Sequence, residues 1–425
     1  MTKACYVGVA GKARKVKKIY TGVDNKARKV KKAYVGVGGK ARPFFSAESR
    51  VEYYGQVTPL SEARPQLAAT TVGNYALFGG GGDGTYFYSA VVDAYSTALV
   101  RSTPTALSEG RYDLAATTVG NYALFGGGFS SYGGEDSVTG TVDAYSTALV
   151  RSSPTALSSH RQSFAATTVG NFALFGGGRG IGGVVGSVDA YSTALGHHNV
   201  SLLSVARSGL AATTVGGYAL FGGGTDSTNY SVGTVDAYRA SLAQGTPTPL
   251  SEERSGLAAA TTGYYALFAG GYSRKYGSLR REFSRTVDAY SNSLVQSTRT
   301  FLSESRGSLA ATTVGGYMLF GGGYNDDKDG LFSTLDAYSS SLVRSTLPPM
   351  SDGRWLLAAT TVGNYGLFGG GSADSGYSSA VDAYTSLEDS NPKPPEPTDP
   401  TDPDKPEDLK PKPKPGLPDK VYGED

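Results

Sequence analysis

The sequence has few of the residues that metal, redox or disulfide chemistry requires. Its 425 residues include one cysteine, Cys5, and three histidines, His160, His197 and His198. A single cysteine excludes an intramolecular disulfide framework and a cysteine-rich metal site. Apolar runs are also short, below the ~20 residues that a membrane-spanning helix needs, so we expect no membrane insertion. Residues 1–18 lack an apolar segment that ends in a cleavage site, and we expect no secretory signal.

The sequence is rich in glycine and tyrosine, and its charges are distributed unevenly along the chain. The 59 glycines and 29 tyrosines favour strands and turns over helices. Residues 1–45 hold thirteen Lys and Arg against one acid, Asp24, although the formal net charge of the whole chain is only +2. From Asn391 onward, eleven of thirty-five residues are proline. Such a composition cannot bury a core, so we expect a disordered tail or linker over residues 389–425.

The centre of the chain contains seven copies of one unit. The segment LAATTVGNYALFGGG at residues 67–81 recurs with small changes, and each copy is followed by Asp-Ala-Tyr. Successive Asp-Ala-Tyr tyrosines are 50, 46, 47, 52, 48 and 46 residues apart, a period that indicates a repeat architecture. An arginine precedes each copy: Arg64, Arg111, Arg161, Arg207, Arg254, Arg306 and Arg354.

Each unit is predicted to form four antiparallel strands. In the first unit these are residues 67–72, 75–78, 91–95 and 99–107, with Gly73-Asn74 as a tight hairpin turn that requires positive φ angles. Four antiparallel strands per repeat are typical of a β-propeller blade.

The two ends of the repeat region predict how the propeller closes. Residues 51–64 align with a fourth strand that has no first three strands before it, and the last unit stops after its third strand at residue 387. We therefore predict an all-β, seven-bladed propeller over residues 46–388 in which the N-terminal strand completes the last blade. Closure of this kind removes exposed sheet edges.

The unit resembles the kelch repeat, in which an arginine, a hydrophobic strand ending in Gly-Gly and a tyrosine follow one another, as Arg64, Gly79-Gly80 and Tyr95 do here. The resemblance covers residues 51–387 and implies a kelch-like propeller, a fold that hosts unrelated functions. The kelch tryptophan is missing, and leucines such as Leu99 lie nearby. The near-identical units and basic N-terminal repeats are similar to propellers that bacteriophages and prophages encode as tail or host-contact components.

Residues that suggest catalysis recur in every unit, which favours a structural role. Seven aspartates accompany the seven arginines, and groups repeated in every blade cannot mark one catalytic centre. Kelch-repeat copper oxidases need a Tyr–Cys crosslink and histidine ligands, and sialidase propellers carry Asp-box motifs; neither pattern is present. Nucleophile elbows, zinc-protease motifs and phosphate loops are also missing, so we expect no enzymatic activity. The repeated aspartates are Asp93, Asp143, Asp189, Asp236, Asp288, Asp336 and Asp382.

Metal binding is predicted at one place at most. The spacing of Asn325, Asp327, Asp329 and Asp336 matches the oxygen ligands of a calcium loop. An acidic surface turn has the same composition, and Asp336 also belongs to the repeat, so calcium stays an alternative and no other cofactor is expected. We interpret the pair at residues 197–198 as solvated histidines of a fourth strand.

Binding is expected where the units differ, because loops on a rigid scaffold carry recognition. The segments between second and third strands vary in length and are rich in Tyr, Gly, Ser, Asn and Asp, the composition of adaptable recognition loops, although plain loop drift gives the same variation. Fourth-to-first connections emerge on the same face of a blade. Trp355 in one of them suits stacking on a sugar or docking of a peptide. The predicted ligand-binding residues are Tyr86, Tyr88, Tyr112, Asp113, Tyr132, Gln162, Arg179, Tyr230, Arg274, Tyr276, Arg280, Tyr324 and Trp355.

The basic N-terminal segment repeats as well. Tyr6, Tyr20 and Tyr34 head three similar copies, and we predict a basic β-repeat module over residues 1–45, an antiparallel meander that docks on an acidic assembly partner. Self-association and nucleic-acid binding by phosphate neutralisation are alternatives; no base-reading motif supports the latter. The predicted attachment residues are Lys12, Arg14, Lys15, Lys17, Lys26, Arg28, Lys29 and Lys31.

Together these patterns predict a non-enzymatic recognition or adhesion protein. The resemblance implies a phage tail or host-surface setting, a host-surface glycan or protein as ligand, and a location on the virion or cell exterior after assembly. The alternative is an intracellular, cytoplasmic adaptor whose basic N-terminus binds protein or nucleic acid.

Overall fold

The described part of the chain consists almost entirely of β-strands. The computed structural model describes residues 6–9, 12–15, 20–23, 26–29, 32–37, 40–46, 50–82, 88–132, 135–274, 280–328 and 330–387. Within these segments the single helical element is a 3-10 turn at Asp326–Lys328, and none of their helices is long and apolar enough to cross a membrane.

Seven antiparallel sheets follow one another as blades 1 to 7, each with four principal strands numbered from the centre outward. Blade 1 contains Ala68–Val72, Tyr75–Gly79, Val92–Ser96 and Arg101–Ser102. Blade 2 contains Ala115–Val119, Tyr122–Tyr132, Glu135–Ser146 and Arg151–Ser152. Blade 3 contains Ala165–Val169, Phe172–Gly176, Val188–Ser192 and His197–Val200. Blade 4 contains Ala211–Val215, Tyr218–Gly222, Val235–Arg239 and Gln244–Gly245. Blade 5 contains Ala258–Thr261, Tyr265–Ala269, Thr286–Ser291 and Gln296–Phe301. Blade 6 contains Ala310–Val314, Tyr317–Gly321, Leu335–Tyr338 and Arg344–Leu347.

Blade 7 is built from both ends of the repeat region, as the sequence predicts. Ala358–Val362, Tyr365–Gly369 and Val381–Leu387 supply its first three strands, and Arg50–Val57 pairs with the third as the outermost strand. The Tyr53 hydroxyl donates to Asp382 Oδ1 at 2.8 Å, and buried Val51 packs in the core between blades 6 and 7. The propeller is therefore closed by the N-terminal strand.

The first strands surround a central channel lined by alanine and threonine. Threonine hydroxyls link neighbouring blades; Thr70 Oγ1, for example, lies 2.8 Å from Thr118 Oγ1. The apolar core lies between blades, where the second strand of one blade packs against the next. Gly79 is needed there because a Cβ atom would lie 2.8 Å from the Phe125 ring.

Two elements differ from the sequence prediction. In blade 1 the fourth strand is only Arg101–Ser102, whereas the pattern predicts residues 99–107; Leu99 is in a turn with φ +60°, and Pro104 has no N–H to donate to a ladder. The predicted N-terminal meander is present as three separate hairpins, Tyr6–Val9 with Lys12–Lys15, Tyr20–Val23 with Lys26–Lys29, and Lys32–Val37 with Lys40–Ser46. The predicted tail lies outside the described residues.

Candidate recognition face

The variable loops and the fourth-to-first connections meet on one face of the propeller, which we call the loop face. In each blade the residue after the repeat arginine pairs with the residue four positions after the phenylalanine of the repeat, and we call these two residues a rim pair. This geometry confirms the expectation that both segments border the same surface. The rim pairs are Pro65 with Gly82, Tyr112 with Phe129, Gln162 with Arg179, Ser208 with Thr225, Ser255 with Tyr272, Gly307 with Tyr324, and Trp355 with Ser372.

A closed circle of backbone hydrogen bonds surrounds the channel at this face. One residue per blade, two positions after the repeat arginine, donates its N–H to the carbonyl of the equivalent residue in the neighbouring blade at 2.8 to 3.2 Å. All seven have φ between 52° and 65°, in the left-handed region that disfavours side chains. We call this circle the mouth ring; it contains Gln66, Asp113, Ser163, Gly209, Gly256, Ser308 and Leu356.

Asp113 supplies the carboxylate of the mouth ring. It accepts hydrogen bonds from Ser163 Oγ at 2.9 Å and from Gln66 Nε2 at 3.2 Å. Burial raises the pKa of Asp113 above its ordinary value, although these two hydrogen bonds act in the opposite direction. The residue as a whole keeps partial contact with solvent, so it lies at the mouth of the channel rather than in the core.

The first of two aromatic groups on the loop face lies over blades 1 and 2. The rings of Tyr88 and Tyr112 stack at 5.8 Å between centroids, and Phe129 lies 5.4 Å from Tyr112. All three side chains are half-buried. The structure thus brings together two predicted residues and adds Phe129, whose signal in the sequence is its place immediately after the glycine run.

The second aromatic group spans blades 5 to 7. Trp355 packs on Tyr324 at 4.5 Å between centroids, Tyr324 on Phe283 at 5.2 Å, and Phe283 on Tyr272 at 5.8 Å. Arg281 covers this group with its guanidinium 4.8 Å from the Tyr272 ring, a cation–π distance. Trp355, predicted as an exposed aromatic, is half-buried because it leans on Tyr324.

The rim over blades 3 to 5 is polar. Arg179 Nη2 donates to Asn229 Oδ1 at 2.9 Å, which joins the loops of blades 3 and 4. The Arg274 backbone N–H donates to Ser231 Oγ at 3.2 Å, and Tyr230 is half-buried beside it in the chain. The loop face therefore has an aromatic sector and a polar sector on a scaffold that repeats seven times.

A cavity of about 610 Å³ opens between the loops of blades 4 and 5. Arg274, Arg285 and Glu282 contribute charge to its wall, and Phe283 joins it to the second aromatic group. Glu252 accepts hydrogen bonds from Ser284 Oγ at 2.7 Å and Thr286 Oγ1 at 2.8 Å, which fixes the loop that forms the wall. A cavity of this size and mixed polarity suits a small polar ligand.

The seven repeated arginines and aspartates form buried ion pairs, one in each blade. Arg161 Nη2 lies 2.6 Å from Asp189 Oδ2, and Asp189 Oδ1 lies 2.7 Å from His197 Nε2. Burial opposes ionisation of Asp189, yet the Arg161 charge and the hydrogen bonds from His197 and Ser158 lower its pKa. The structural interpretation of these residues is therefore confirmed, while His197, predicted to be solvated, is a half-buried partner of Asp189; His198 is exposed. The pairs are Arg64–Asp93, Arg111–Asp143, Arg161–Asp189, Arg207–Asp236, Arg254–Asp288, Arg306–Asp336 and Arg354–Asp382.

Three of the four predicted calcium ligands have other partners. Asp336 is buried against Arg306 at 3.0 Å and Arg344 at 2.8 Å, Asn325 donates to the Ser305 carbonyl, and Asp327 pairs with Arg280. Within the described segments no three His, Cys, Asp or Glu side chains are grouped to hold a metal ion. Calcium binding at this turn stays a prediction, and its ligand set excludes Asp336.

Several predicted residues lie where the structure gives no side-chain information. Tyr86, Tyr276, Asp329, Lys17 and Lys31 are outside the described residues. Tyr132 ends a long strand of blade 2. The remaining predicted basic residues lie on the second strands of the first two N-terminal hairpins: Lys12, Arg14, Lys15, Lys26, Arg28 and Lys29.

Comparison with known proteins identifies the fold and goes no further. No protein-family model matches the chain, and no curated protein matches it either. Among 646 matching chains of solved structures, that of YjhT is similar over 79% of this chain and 98% of its own, with a TM-score of 0.51 and 10% identity. Such low identity shows a shared fold alone. By its blades and by this neighbour, the chain is a seven-bladed β-propeller.

Proposed function

We propose that this protein is a non-enzymatic recognition protein that binds a glycan or a protein through its loop face. The observation that carries the proposal is the second aromatic group, where Trp355, Tyr324, Phe283 and Tyr272 form a continuous half-buried surface under Arg281. Aromatic side chains with one packed and one open side give large contact area at low entropic cost, as recognition surfaces require.

The contrast between scaffold and rim supports this proposal. In all seven blades the buried arginine and aspartate form an ion pair, so each charge is neutralised within the fold. The rim pairs, in contrast, range from Pro65 with Gly82 to Trp355 with Ser372 on nearly identical strands. Variation at the rim above nearly identical inner strands is what a binding surface on a rigid support would show.

We also propose the setting that the kelch-like and phage-like resemblance implies. The propeller would present its loop face to a host-surface glycan or protein, on a virion or cell exterior after assembly. The basic N-terminal hairpins would attach it to an acidic assembly partner, with nucleic acid as the less favoured alternative. Support comes from the concentration of Lys and Arg on the paired strands, such as Lys12–Lys15.

Glycan-array and whole-cell binding tests the proposal with a matched pair of variants. Trp355→Ala should weaken binding about thirtyfold, the effect of truncating a central aromatic anchor. Tyr264→Ala removes an aromatic side chain that is 68% exposed in a turn on the opposite face, and it should leave binding unchanged. Equal binding by wild type and Trp355→Ala, with both variants folded by circular dichroism, would contradict recognition through this face.

A further inference from the structure

The mouth ring has the same backbone in every blade but carries different side chains. Blade 4 contributes Gly209, and blade 5 contributes Gly256, against which the Tyr272 ring packs, because a Cβ atom there would lie 2.7 Å from that ring. Blades 1 to 3 contribute a polar arc of Gln66, Asp113 and Ser163. All the ring residues keep partial contact with solvent, so a ligand that enters from the loop face meets them first.

Asp113 lacks a cationic partner within the described segments. Its two oxygens accept neutral hydrogen bonds, one each from Gln66 and Ser163, and no Lys, Arg or His side chain described lies within ion-pair distance of it. Every repeated aspartate of the scaffold, by contrast, faces a buried arginine, as Asp143 faces Arg111 at 2.8 Å. A carboxylate accepts up to about four hydrogen bonds, so Asp113 keeps acceptor capacity for a ligand.

An aromatic surface begins at the residue that precedes this carboxylate in the chain. Tyr112 precedes Asp113 in the chain and stacks with Tyr88 and Phe129 to form the first aromatic group. Aromatic faces attract cations through their quadrupole, and a nearby carboxylate adds a charged acceptor. The combination is complementary to an ammonium group and to an amine-bearing ring that stacks on the aromatic side chains.

We infer that the channel mouth between Tyr112 and Ser163 binds a primary ammonium group of the ligand, with Asp113 as its counter-ion. This inference rests on the proposed function, since it assigns one chemical group of the ligand recognised by the loop face. The amine is carried either by a de-N-acetylated amino sugar or by a lysine side chain. The structure also explains why Asp113 is tolerated at a left-handed position: its side chain bonds to both neighbouring blades.

Calorimetric titration of the full chain with four probes tests the inference. The probes are a glucosamine tetramer, its fully N-acetylated counterpart, a lysine-containing tetrapeptide and the same peptide with Nε-acetyl-lysine. We expect at least one amine probe to bind and its acetylated form to bind about tenfold more weakly or not at all. The amine probe that binds identifies the source of the ammonium group.

Asp113→Asn is the decisive variant, and Ser308→Ala at the same ring position in blade 6 is its control. The first should reduce affinity for the amine probe about tenfold while leaving the melting temperature near that of wild type; the second should change neither. Equal affinity of Asp113→Asn and wild type, or no binding of either amine probe to wild type, would overturn the inference. If cell-surface binding still depends on Trp355 in that case, recognition stands and only the ammonium site is wrong.

Discussion

Tyr95 and its six equivalents connect the third strand of each blade to the outer part of the preceding one. The Tyr95 ring is buried edge-on against Phe78 at 5.9 Å, and its hydroxyl donates to the Thr58 carbonyl at 2.7 Å. Burial, and next the charge of Asp93, raise the pKa of Tyr95 well above its usual value, while Arg101 and Arg64 act in the opposite direction. The same direction holds at Tyr145, Tyr191, Tyr238, Tyr290, Tyr338 and Tyr384.

Alkaline pH should therefore unfold the protein cooperatively. Below the unfolded-state pKa of about 10 the buried tyrosines are protonated in both states, and their contribution to stability is complete. Above it the unfolded chain releases protons that the folded chain retains, so the free energy of unfolding falls as pH rises. Absorbance of phenolate at 295 nm should show surface tyrosines ionising reversibly first and the seven buried ones together with loss of near-UV circular dichroism. Ionisation of all tyrosines without loss of tertiary signal would contradict this account.

The turn before each fourth strand departs most from ordinary backbone preferences. Leu99 and five equivalent leucines have φ between 59° and 62°, where a side chain costs about 1 kcal/mol or more. The leucine is kept because its side chain packs in the core between blades, as Leu99 does with Leu60 and Tyr95.

Substitution of Leu99 should give an unusual order of stability. Leu99→Ala loses the buried side chain and keeps the strain, at a cost of about 2–5 kcal/mol. Leu99→Gly loses the same contacts but relieves the strain, so it should be about 1 kcal/mol more stable than the alanine variant. Urea unfolding of both variants measures the difference. If the glycine variant is less stable than the alanine variant, relief of backbone strain does not contribute to stability at residue 99, and the account of a strained leucine is wrong.

At the level of elements, the sequence predicts the three inner strands of each blade well and the outer strand poorly. The inner strands recur as nearly identical segments separated by Gly73 and the glycine run, and such a repeated signal is reliable. Residues 99–107 of blade 1 look extended, yet the left-handed Leu99 and Pro104 restrict the ladder to two residues. Phe129 and Phe283 were not predicted, because each lies in a variable loop, where no periodic pattern marks the residues that face a ligand. Phe129 could have been found from its position directly after the glycine run.

The whole molecule depends on the contact between the two ends of the repeat region. Along Arg50–Val57 the outer strand pairs with Val381–Leu387, with one register shift between Ala383 and Tyr384. Closure places blade 7, which carries Trp355, beside blade 1 in the mouth ring, where the Gln66 N–H donates to the Leu356 carbonyl at 2.9 Å. The same contact that stabilises the scaffold therefore completes the loop face.

Thermal unfolding of two truncated chains tests this closure directly. A chain that begins at residue 50 keeps the whole outer strand of blade 7 and should melt at the temperature of the full-length protein. A chain that begins at residue 58 loses every pairing of that strand, leaves Asp382 without the Tyr53 hydroxyl and removes Val51 from the core, and it should melt many degrees lower or fail to fold. Identical melting temperatures for the two chains would show that the propeller does not depend on its N-terminal strand.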